Sequence, residues 1–163
     1  MSTKIRLYFS DKIQSDLVAH LKKEQSHYVK DVMRLKIGDS FSVFNGQGEW
    51  NASIESYEKE GVRIKVLHKL RDKENEQNIW LAFTPIKQNP LNFIIQKATE
   101  LGVQKFIPIL SERAMVKDIN IERVKKIIVE SAEQSNRISI PEINNLESLK
   151  KFLKVPSYLF RER

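Results

Sequence analysis

The stretch from residue 79 to residue 110 constrains the fold most strongly, because a helical pattern lies between two short apolar runs. Asn89 is a favourable N-cap, and Pro90 suits the first helical turn, where its missing N–H costs nothing. Gly102 stands where a helix commonly ends. The apolar residues at helical spacing are Leu91, Ile94, Ile95, Ala98 and Leu101. We expect the last four of these to be buried against a sheet.

The flanking runs, residues 79–84 and 105–110, have the length and composition of strands. A strand–helix–strand unit closes almost always as a right-handed crossover between parallel strands, so this stretch predicts a parallel α/β domain. After it, we expect a helix that starts at Asp118 or Asn120 and ends near Asn136. A short helix over residues 146–153 and a strand over residues 155–160 complete the prediction.

Short strands predominate in the residues before this unit. We predict strands over 5–10, 40–45, 49–56 and 62–68, and short helices over 11–21 and 26–35. Gly46-Gln47-Gly48 joins two of these strands and is a strong hairpin signal. Several short strands with little helix indicate a small β-barrel. Residues 71–78 contain no apolar side chain and predict a linker, so we divide the chain into residues 1–72 and residues 73–163.

The charge of the chain favours a polyanionic partner. Lys and Arg exceed Asp and Glu by seven, for a formal net charge of +7, and such a basic surface can bind nucleic acid or serve only for solubility. The chain has no Cys, which excludes disulfides and thiolate chemistry in these residues. The three histidines, His20, His27 and His68, do not have ligand spacing, so we expect no metal site. Without a signal or spanning segment, a cytoplasmic location is expected.

Charged residues at the ends of the predicted elements are candidates for a site. Glu112 and Arg113 close the second parallel strand, where open α/β sheets bind ligands, although a solvated ion pair is the alternative. Lys97 and Glu100 are one helical turn apart and can pair. Gln134 and Arg137 lie at the end of the later helix, where a charged outer face is the usual explanation. For His27 the alternative is a partly buried, hydrogen-bonded side chain without a further role.

Three blocks of sequence resemble the RsmE family of 16S ribosomal RNA uracil-N3 methyltransferases, within the SPOUT (knotted) superfamily. The first block comprises His27-Tyr28, VMRLKIGD at residues 32–39 and FNGQG at residues 44–48. The second is QKATELGV at residues 96–103, followed by SER at residues 111–113. The third is AEQSNR at residues 132–137 with Pro141. The order and spacing of these blocks are specific, and the resemblance covers essentially the whole chain.

The resemblance implies an α+β chain, with an N-terminal PUA-like β-barrel followed by an incomplete α/β (SPOUT-type) parallel-sheet domain. It also implies S-adenosylmethionine as methyl donor, no metal, 16S rRNA of the small ribosomal subunit as substrate, and a homodimer without membrane contact. The implied catalytic residues are Arg113, Arg137, Glu100, Lys97 and Gln134. The implied RNA-binding residues are Arg6, His27, Arg34, Lys36 and Lys87, of which Arg6, Arg34 and Lys36 are expected on one basic face. No residue is assigned to the cofactor.

The family pattern continues with a Gly-Pro-Glu-Gly-Gly loop and a later Leu-Gly…Leu-Arg…Glu-Thr-Ala segment, which form the knot and the cofactor pocket. Neither motif occurs in these 163 residues. Two hypotheses therefore stand: an rRNA methyltransferase chain, or a non-catalytic RNA-binding remnant of such an enzyme.

The 163-residue polypeptide on its own is expected not to hold S-adenosylmethionine tightly or to methylate RNA. A small ligand needs buried apolar walls, and the family supplies them from the knot. Isothermal titration calorimetry with S-adenosylmethionine measures this directly. Micromolar affinity, which corresponds to about −8 kcal/mol, would contradict the prediction.

Overall fold

The computed structural model describes residues 5–73 and 75–154, and the predicted strand over residues 155–160 lies outside them. The chain divides into two compact units, residues 1–74 and residues 75–163. Each has its own cluster of buried apolar side chains. In the described residues, no helix is long and apolar enough to cross a bilayer.

The first unit is built on a five-stranded sheet with the order β1-β3-β4-β5-β2. Its strands are β1 (Arg6–Tyr8), β2 (Val18–His20), β3 (Ser40–Asn45), β4 (Gly48–Tyr57) and β5 (Val62–Asp72). β1 pairs with β3 in parallel, and the remaining pairs are antiparallel. The hairpin between β3 and β4 forms as predicted. Along β5 the side chains of Val62, Ile64 and Val66 are buried at every second position, which places them in the core of this unit.

Both short helices predicted in the first unit differ from the structure. The predicted helix over residues 11–21 is wrong, because Val18–His20 forms β2 and pairs with Arg63–Lys65 of β5. This pairing satisfies the edge of β5, and the tertiary contact outweighs the local helical pattern. The second helix begins and ends three residues earlier than predicted: α1 covers Lys23–His27, and a π-helical turn follows over Tyr28–Val32.

The predicted linker, residues 71–78, is only partly a connection. β5 continues to Asp72, where Gly48 of β4 pairs with it. Further along, Glu76 is half-buried and bonded to the second unit, to which it belongs. Charged residues of this segment thus take part in a strand and in a buried ion pair. The absence of apolar residues from the segment did not predict either contact.

The second unit contains the predicted parallel crossover. Its elements are β6 (Trp80–Phe83), α2 (Gln88–Glu100), β7 (Lys105–Leu110), α3 (Ile121–Gln134), β8 (Glu142–Ile143), β9 (Glu147–Ser148) and α4 (Leu149–Phe152). β7 lies between β6 and β8, and β9 also pairs with β7; all these pairs are parallel. Asn120 is the N-cap of α3, and its side chain accepts a hydrogen bond from the N–H of Arg123 at 3.0 Å.

The buried face of α2 differs from the predicted one. Leu91, Ile95 and Thr99 are buried at intervals of four residues, whereas Ile94 is 37% exposed and Leu101 is 81% exposed. Thr99 is tolerated inside because its hydroxyl donates to the carbonyl of Ile95 at 2.8 Å. Leu101 lies at the C-cap, beyond the last helical turn. The predictions that Ile94 and Leu101 are buried were therefore wrong, because polar Thr99 occupies the position that apolar spacing alone would not select.

Truncation of Ile95 tests this register of α2. Ile95→Ala should cost about 2–5 kcal/mol of unfolding free energy, because the side chain is completely buried. Leu101→Ala is the control and should cost less than about 0.5 kcal/mol. Urea unfolding followed by circular dichroism at the helix band measures both, since the long helices belong to the second unit. Equal losses for the two variants would show that the register is wrong.

Candidate functional site

The carboxyl ends of the parallel strands carry two of the predicted site residues. Lys87 is the N-cap of α2, shortly after β6 ends. Arg113 lies in the turn after β7, and both it and Glu112 are exposed. In open α/β sheets this edge is where ligands bind, because the loops that follow neighbouring strands meet there. Lys87 and Arg113 therefore lie at the carboxyl edge of the sheet, where they can contact a charged ligand.

Lys97 and Glu100 lie at the other end of the sheet. The Nζ atom of Lys97 is 2.7 Å from Oε2 of Glu100, and the Gln96 amide donates to Oε1 of Glu100 at 2.9 Å. The hydrogen bond from Lys97, followed by that from Gln96, holds the pKa of Glu100 below its ordinary value. α2 has 13 residues and runs back from the carboxyl edge, so its last turn is about 20 Å from its first. These two residues are thus not brought together with Arg113 within this unit.

Arg137 is buried at the same amino-terminal edge, where it fastens the end of α2. Its guanidinium donates to the carbonyls of Thr99 at 2.8 Å and Val103 at 2.7 Å, with a longer contact to the carbonyl of Gly102 at 3.4 Å. It also forms an ion pair with Glu76, with Nη2 and Oε2 separated by 2.6 Å. The Arg137 side chain is only 6% exposed. In this unit its guanidinium positions the turn after α2.

Sequence reasoning missed Glu76, which lies in the predicted linker. Its carboxylate accepts hydrogen bonds from Arg137 and from the hydroxyl of Ser139 at 2.7 Å. Gln104 is a further hydrogen-bond donor to it. Burial raises the pKa of Glu76, but the hydrogen bonds from Arg137 and Ser139 outweigh this and hold the pKa below its ordinary value. A single acidic residue in a polar segment carries no sequence signal for such a role.

Gln134 lies at the end of α3 and is exposed. It lines a groove of about 430 Å³ between α2 and α3, together with Asn89, Phe93 and Gln96. The described residues contain no cluster of histidine and acidic side chains that could hold a metal ion.

Among the predicted RNA-binding residues, Arg6 differs from the others because it is buried. Its Nε donates to Oε1 of Glu49 at 3.1 Å, and its guanidinium carbon lies 4.4 Å from the centre of the Phe44 ring. Arg71 donates to the other oxygen of Glu49 at 2.8 Å. Burial raises the pKa of Glu49, but these hydrogen bonds, from Arg6 and then Arg71, lower it overall. Arg6 therefore does not lie on one exposed basic face with Arg34 and Lys36, contrary to the prediction.

The remaining candidates in the first unit are exposed. His27 ends α1, and its Nδ1 lies 2.7 Å from Oδ2 of Asp31, so it is hydrogen-bonded but 69% of its side chain is exposed. Arg34 follows the π-helical turn in the left-handed conformation, with φ of 54°. Lys36 begins a tight turn, and its backbone N–H donates to the side chain of Asp39 at 2.7 Å. These three residues lie within ten positions of one another on one exposed segment.

Comparison with known families agrees with both units. A family model described as an RNA methyltransferase domain matches residues 73–159, more than half of the chain. The chain belongs to this RNA methyltransferase family. A second model, an RNA methyltransferase PUA domain, matches residues 21–67. The fold class, a PUA-like first unit and a SPOUT-type parallel-sheet unit, is thereby confirmed. Relatives named ribosomal RNA small subunit methyltransferase E confirm the resemblance to the RsmE family.

Individual members of the family are similar over most of the chain. Ribosomal RNA small subunit methyltransferase E of Rickettsia conorii is 32% identical over 151 residues, covering 91% of this chain and 62% of the relative. The protein of the same name from Bacillus subtilis is 32% identical and covers 80% and 54%. The Neisseria gonorrhoeae enzyme, solved with S-adenosyl methionine bound, superposes with a TM-score of 0.84 at 25% identity, covering 94% and 67%. The chain spans between 39% and 62% of the length of curated relatives of this name.

The buried Glu76–Arg137 pair makes the second unit sensitive to acid. Glu76→Gln should cost about 3 kcal/mol at neutral pH, because it leaves the Arg137 charge buried without its partner. The contribution of Glu76 is present above the unfolded pKa of about 4.3 and is lost as the pH falls through the depressed folded pKa. Wild-type stability should therefore decline below about pH 4.3, and the decline should be smaller in the Gln variant.

Urea unfolding at a series of pH values, followed by circular dichroism, measures both effects. Glu122→Gln removes an exposed ion pair with Lys125 on α3 and is the control, expected to cost less than about 0.5 kcal/mol. Equal small losses for the two Gln variants at neutral pH would show that the Glu76–Arg137 pair does not hold the unit together.

Proposed function

We propose that this chain serves the methylation of N3 of a uridine in 16S rRNA of the small ribosomal subunit, with S-adenosylmethionine as the methyl donor. The observation that carries the proposal is the family match over the second unit, in which Arg113 is exposed at the carboxyl edge of the parallel sheet. The relatives named small subunit rRNA methyltransferase support the substrate. A cytoplasmic location and a homodimer belong to the same proposal.

Arg113 is proposed to contact the reacting uracil. N3 of uracil carries a weakly acidic proton, and the nitrogen becomes a nucleophile only when that proton leaves or the resulting anion is stabilised. A guanidinium is always charged and donates to two oxygens at once, so it suits an anionic uracil ring or an adjacent phosphate. The exposed position of Arg113 leaves its guanidinium accessible to RNA.

The residues at this edge fit only part of the proposed methyl donor. Lys87 and Arg113 are suitable for the carboxylate of its methionine portion, and Glu112 for the ammonium group. The adenine ring needs apolar walls, and Lys87, Glu112 and Arg113 are exposed polar side chains. S-adenosylmethionine supplies an electrophilic methyl group when bound. The part assigned to these residues is orientation and charge stabilisation.

The other predicted site residues receive supporting roles in the proposal. Arg137 acts as a positioning residue, because its guanidinium is committed to Glu76 and to backbone carbonyls. Lys97 and Glu100 orient the side chains around them at the amino-terminal edge of the sheet. Gln134 does the same in the groove between α2 and α3. His27, Arg34, Lys36 and Lys87 contact RNA phosphates, supported by their exposure.

The alternative function is RNA binding without catalysis. The PUA match over residues 21–67 and the exposed cations of the first unit favour RNA contact by themselves. This alternative predicts binding to small-subunit rRNA and no methyl transfer.

Substitution of Arg113 separates these two functions. This chain, joined to the knot-forming segment of a family member, is expressed in bacteria lacking their own uracil-N3 methyltransferase, and 3-methyluridine in 16S rRNA is measured by mass spectrometry. The wild type should restore the modification, and Arg113→Ala should lower its rate of formation by about 100-fold, the usual effect of removing one stabilising donor. Lys150→Ala, an exposed cation on α4, is the control and should retain full activity.

Two results would contradict the proposal. If Arg113→Ala methylates like the control, Arg113 does not contact the reacting group. If the wild type co-sediments with small subunits and leaves the uridine unmodified, RNA binding without catalysis is the function.

A further inference from the structure

An exposed segment of the first unit combines apolar and basic side chains. Tyr28, Val32 and Ile37 are 39%, 57% and 62% exposed. Arg34 and Lys36 lie between Val32 and Ile37 in the sequence and are exposed as well. We call these five residues the Tyr28–Ile37 surface. A group of large exposed apolar side chains rimmed by polar residues is a candidate binding surface.

The charge of this segment favours an anionic partner. From residue 27 to residue 37, the cations Lys30, Arg34 and Lys36 are opposed only by Asp31, which is held by His27. Lys30 lies 5.5 Å over the ring of Tyr57 and is directed to that side chain. Arg34 and Lys36 therefore remain as the cations that accompany the exposed apolar residues.

The backbone conformation at Arg34 is unfavourable for an arginine. Met33 is the C-cap of the π-helical turn, and Arg34 then adopts φ of 54°, a position where glycine is the favoured residue. An arginine there costs conformational free energy that a glycine would not. Unfavourable backbone geometry of this kind is retained where the surrounding structure imposes it, and it is concentrated at functional sites.

The surrounding hydrogen bonds hold this geometry in place. The N–H of Met33 donates to the carbonyl of Tyr28 at 2.9 Å, and the N–H of Leu35 donates to the carbonyl of Val29 at 3.1 Å. The hydroxyl of Tyr57 donates to the carbonyl of Leu35. Val29 is completely buried. The guanidinium of Arg34 is thus carried by a fixed backbone, which lowers the entropy lost on binding.

We propose that the Tyr28–Ile37 surface binds unpaired RNA, with Tyr28 stacking on a base and Arg34 and Lys36 contacting the phosphates beside it. The inference rests on the proposed function for the identity of the polyanion and goes beyond it in naming the form of RNA. A duplex presents mainly phosphates and sugars. These groups do not form favourable contacts with the exposed ring of Tyr28 or with the side chains of Val32 and Ile37. Unpaired bases offer flat apolar faces to an aromatic ring and phosphates to cations.

Binding of the purified chain to a short uridine-rich single-stranded RNA and to a duplex of the same length tests the proposal. Fluorescence anisotropy at several salt concentrations gives both affinity and its salt dependence. Tyr28→Leu should weaken single-strand binding by roughly tenfold, because base–aromatic stacking is lost, and leave duplex binding unchanged. Tyr28→Phe keeps the ring and should bind like the wild type.

Arg34→Gly separates the side chain from the backbone. The variant should melt at the same temperature as the wild type or higher, since glycine favours this conformation. It should nevertheless bind the single strand roughly tenfold more weakly, with a salt slope smaller by about 0.7 if one phosphate contact is lost. Asp16→Gly relieves a second left-handed residue of the same unit, with φ of 63°, and Lys59→Ala removes an exposed cation; both should retain wild-type affinity within about twofold.

Several results would overturn the proposal. Wild-type affinity in Arg34→Gly would show that the guanidinium makes no contact, and equal weakening of single strand and duplex by Tyr28→Leu would exclude stacking. Concentration-dependent self-association that disappears in Tyr28→Leu, without a change in RNA binding, would assign this surface to contact between copies of the chain. The proposed function fails separately: it is contradicted if the chain joined to the knot-forming segment leaves the rRNA uridine unmethylated while these RNA-binding differences persist.

Discussion

The ion pair between Glu76 and Arg137 is the interaction on which the second unit depends. It joins the segment before β6, the turn after α2 and the residues after α3, and the guanidinium also satisfies the carbonyls of Thr99 and Val103. Those carbonyls belong to a helix end and the turn after it, where intrahelical partners are missing. One buried side chain thus completes the hydrogen bonding of three segments that are separated from one another in the sequence. The cost of burying the charges is offset only because almost every donor of the guanidinium is used.

The first unit also contains a buried ion pair, between Glu49 and two arginines. Glu49 is almost fully buried between Arg6 and Arg71, which come from the two outer strands of the sheet portion around β3 and β4. One carboxylate accepts from two cations, so the cluster keeps a net positive charge while its members are bonded. Arg6, one of the residues predicted to bind RNA, is therefore a structural residue, whereas Arg34 and Lys36 near the π-helical turn are exposed.

Sequence reasoning succeeded where local pattern and tertiary demand coincide. The crossover around α2, the β3–β4 hairpin and the alternation in β5 follow directly from apolar spacing and glycine placement. It failed where a partner distant in sequence decides the outcome. β2 forms because β5 offers an edge, and Thr99 is buried because its hydroxyl bonds to the preceding turn. Glu76 and Arg6 are committed to ion pairs whose other members lie 61 and 43 residues away. For the candidate site, spacing placed Arg113 at the carboxyl edge, but it could not show that α2 separates Glu100 and Arg137 from it.

The sequence separation of the Glu76–Arg137 pair also bears on the order in which the unit assembles. Contacts between residues so far apart form late, because the intervening chain must first be confined. During synthesis, Glu76 leaves the ribosome long before Arg137 and Ser139, so its carboxylate stays hydrated until α3 is complete. Desolvation of the acid is thus deferred until its cation has been made. The last turn of α2 gains its final hydrogen bonds at the same step, so one late event completes the connection before β6, the turn after α2 and the exit of α3.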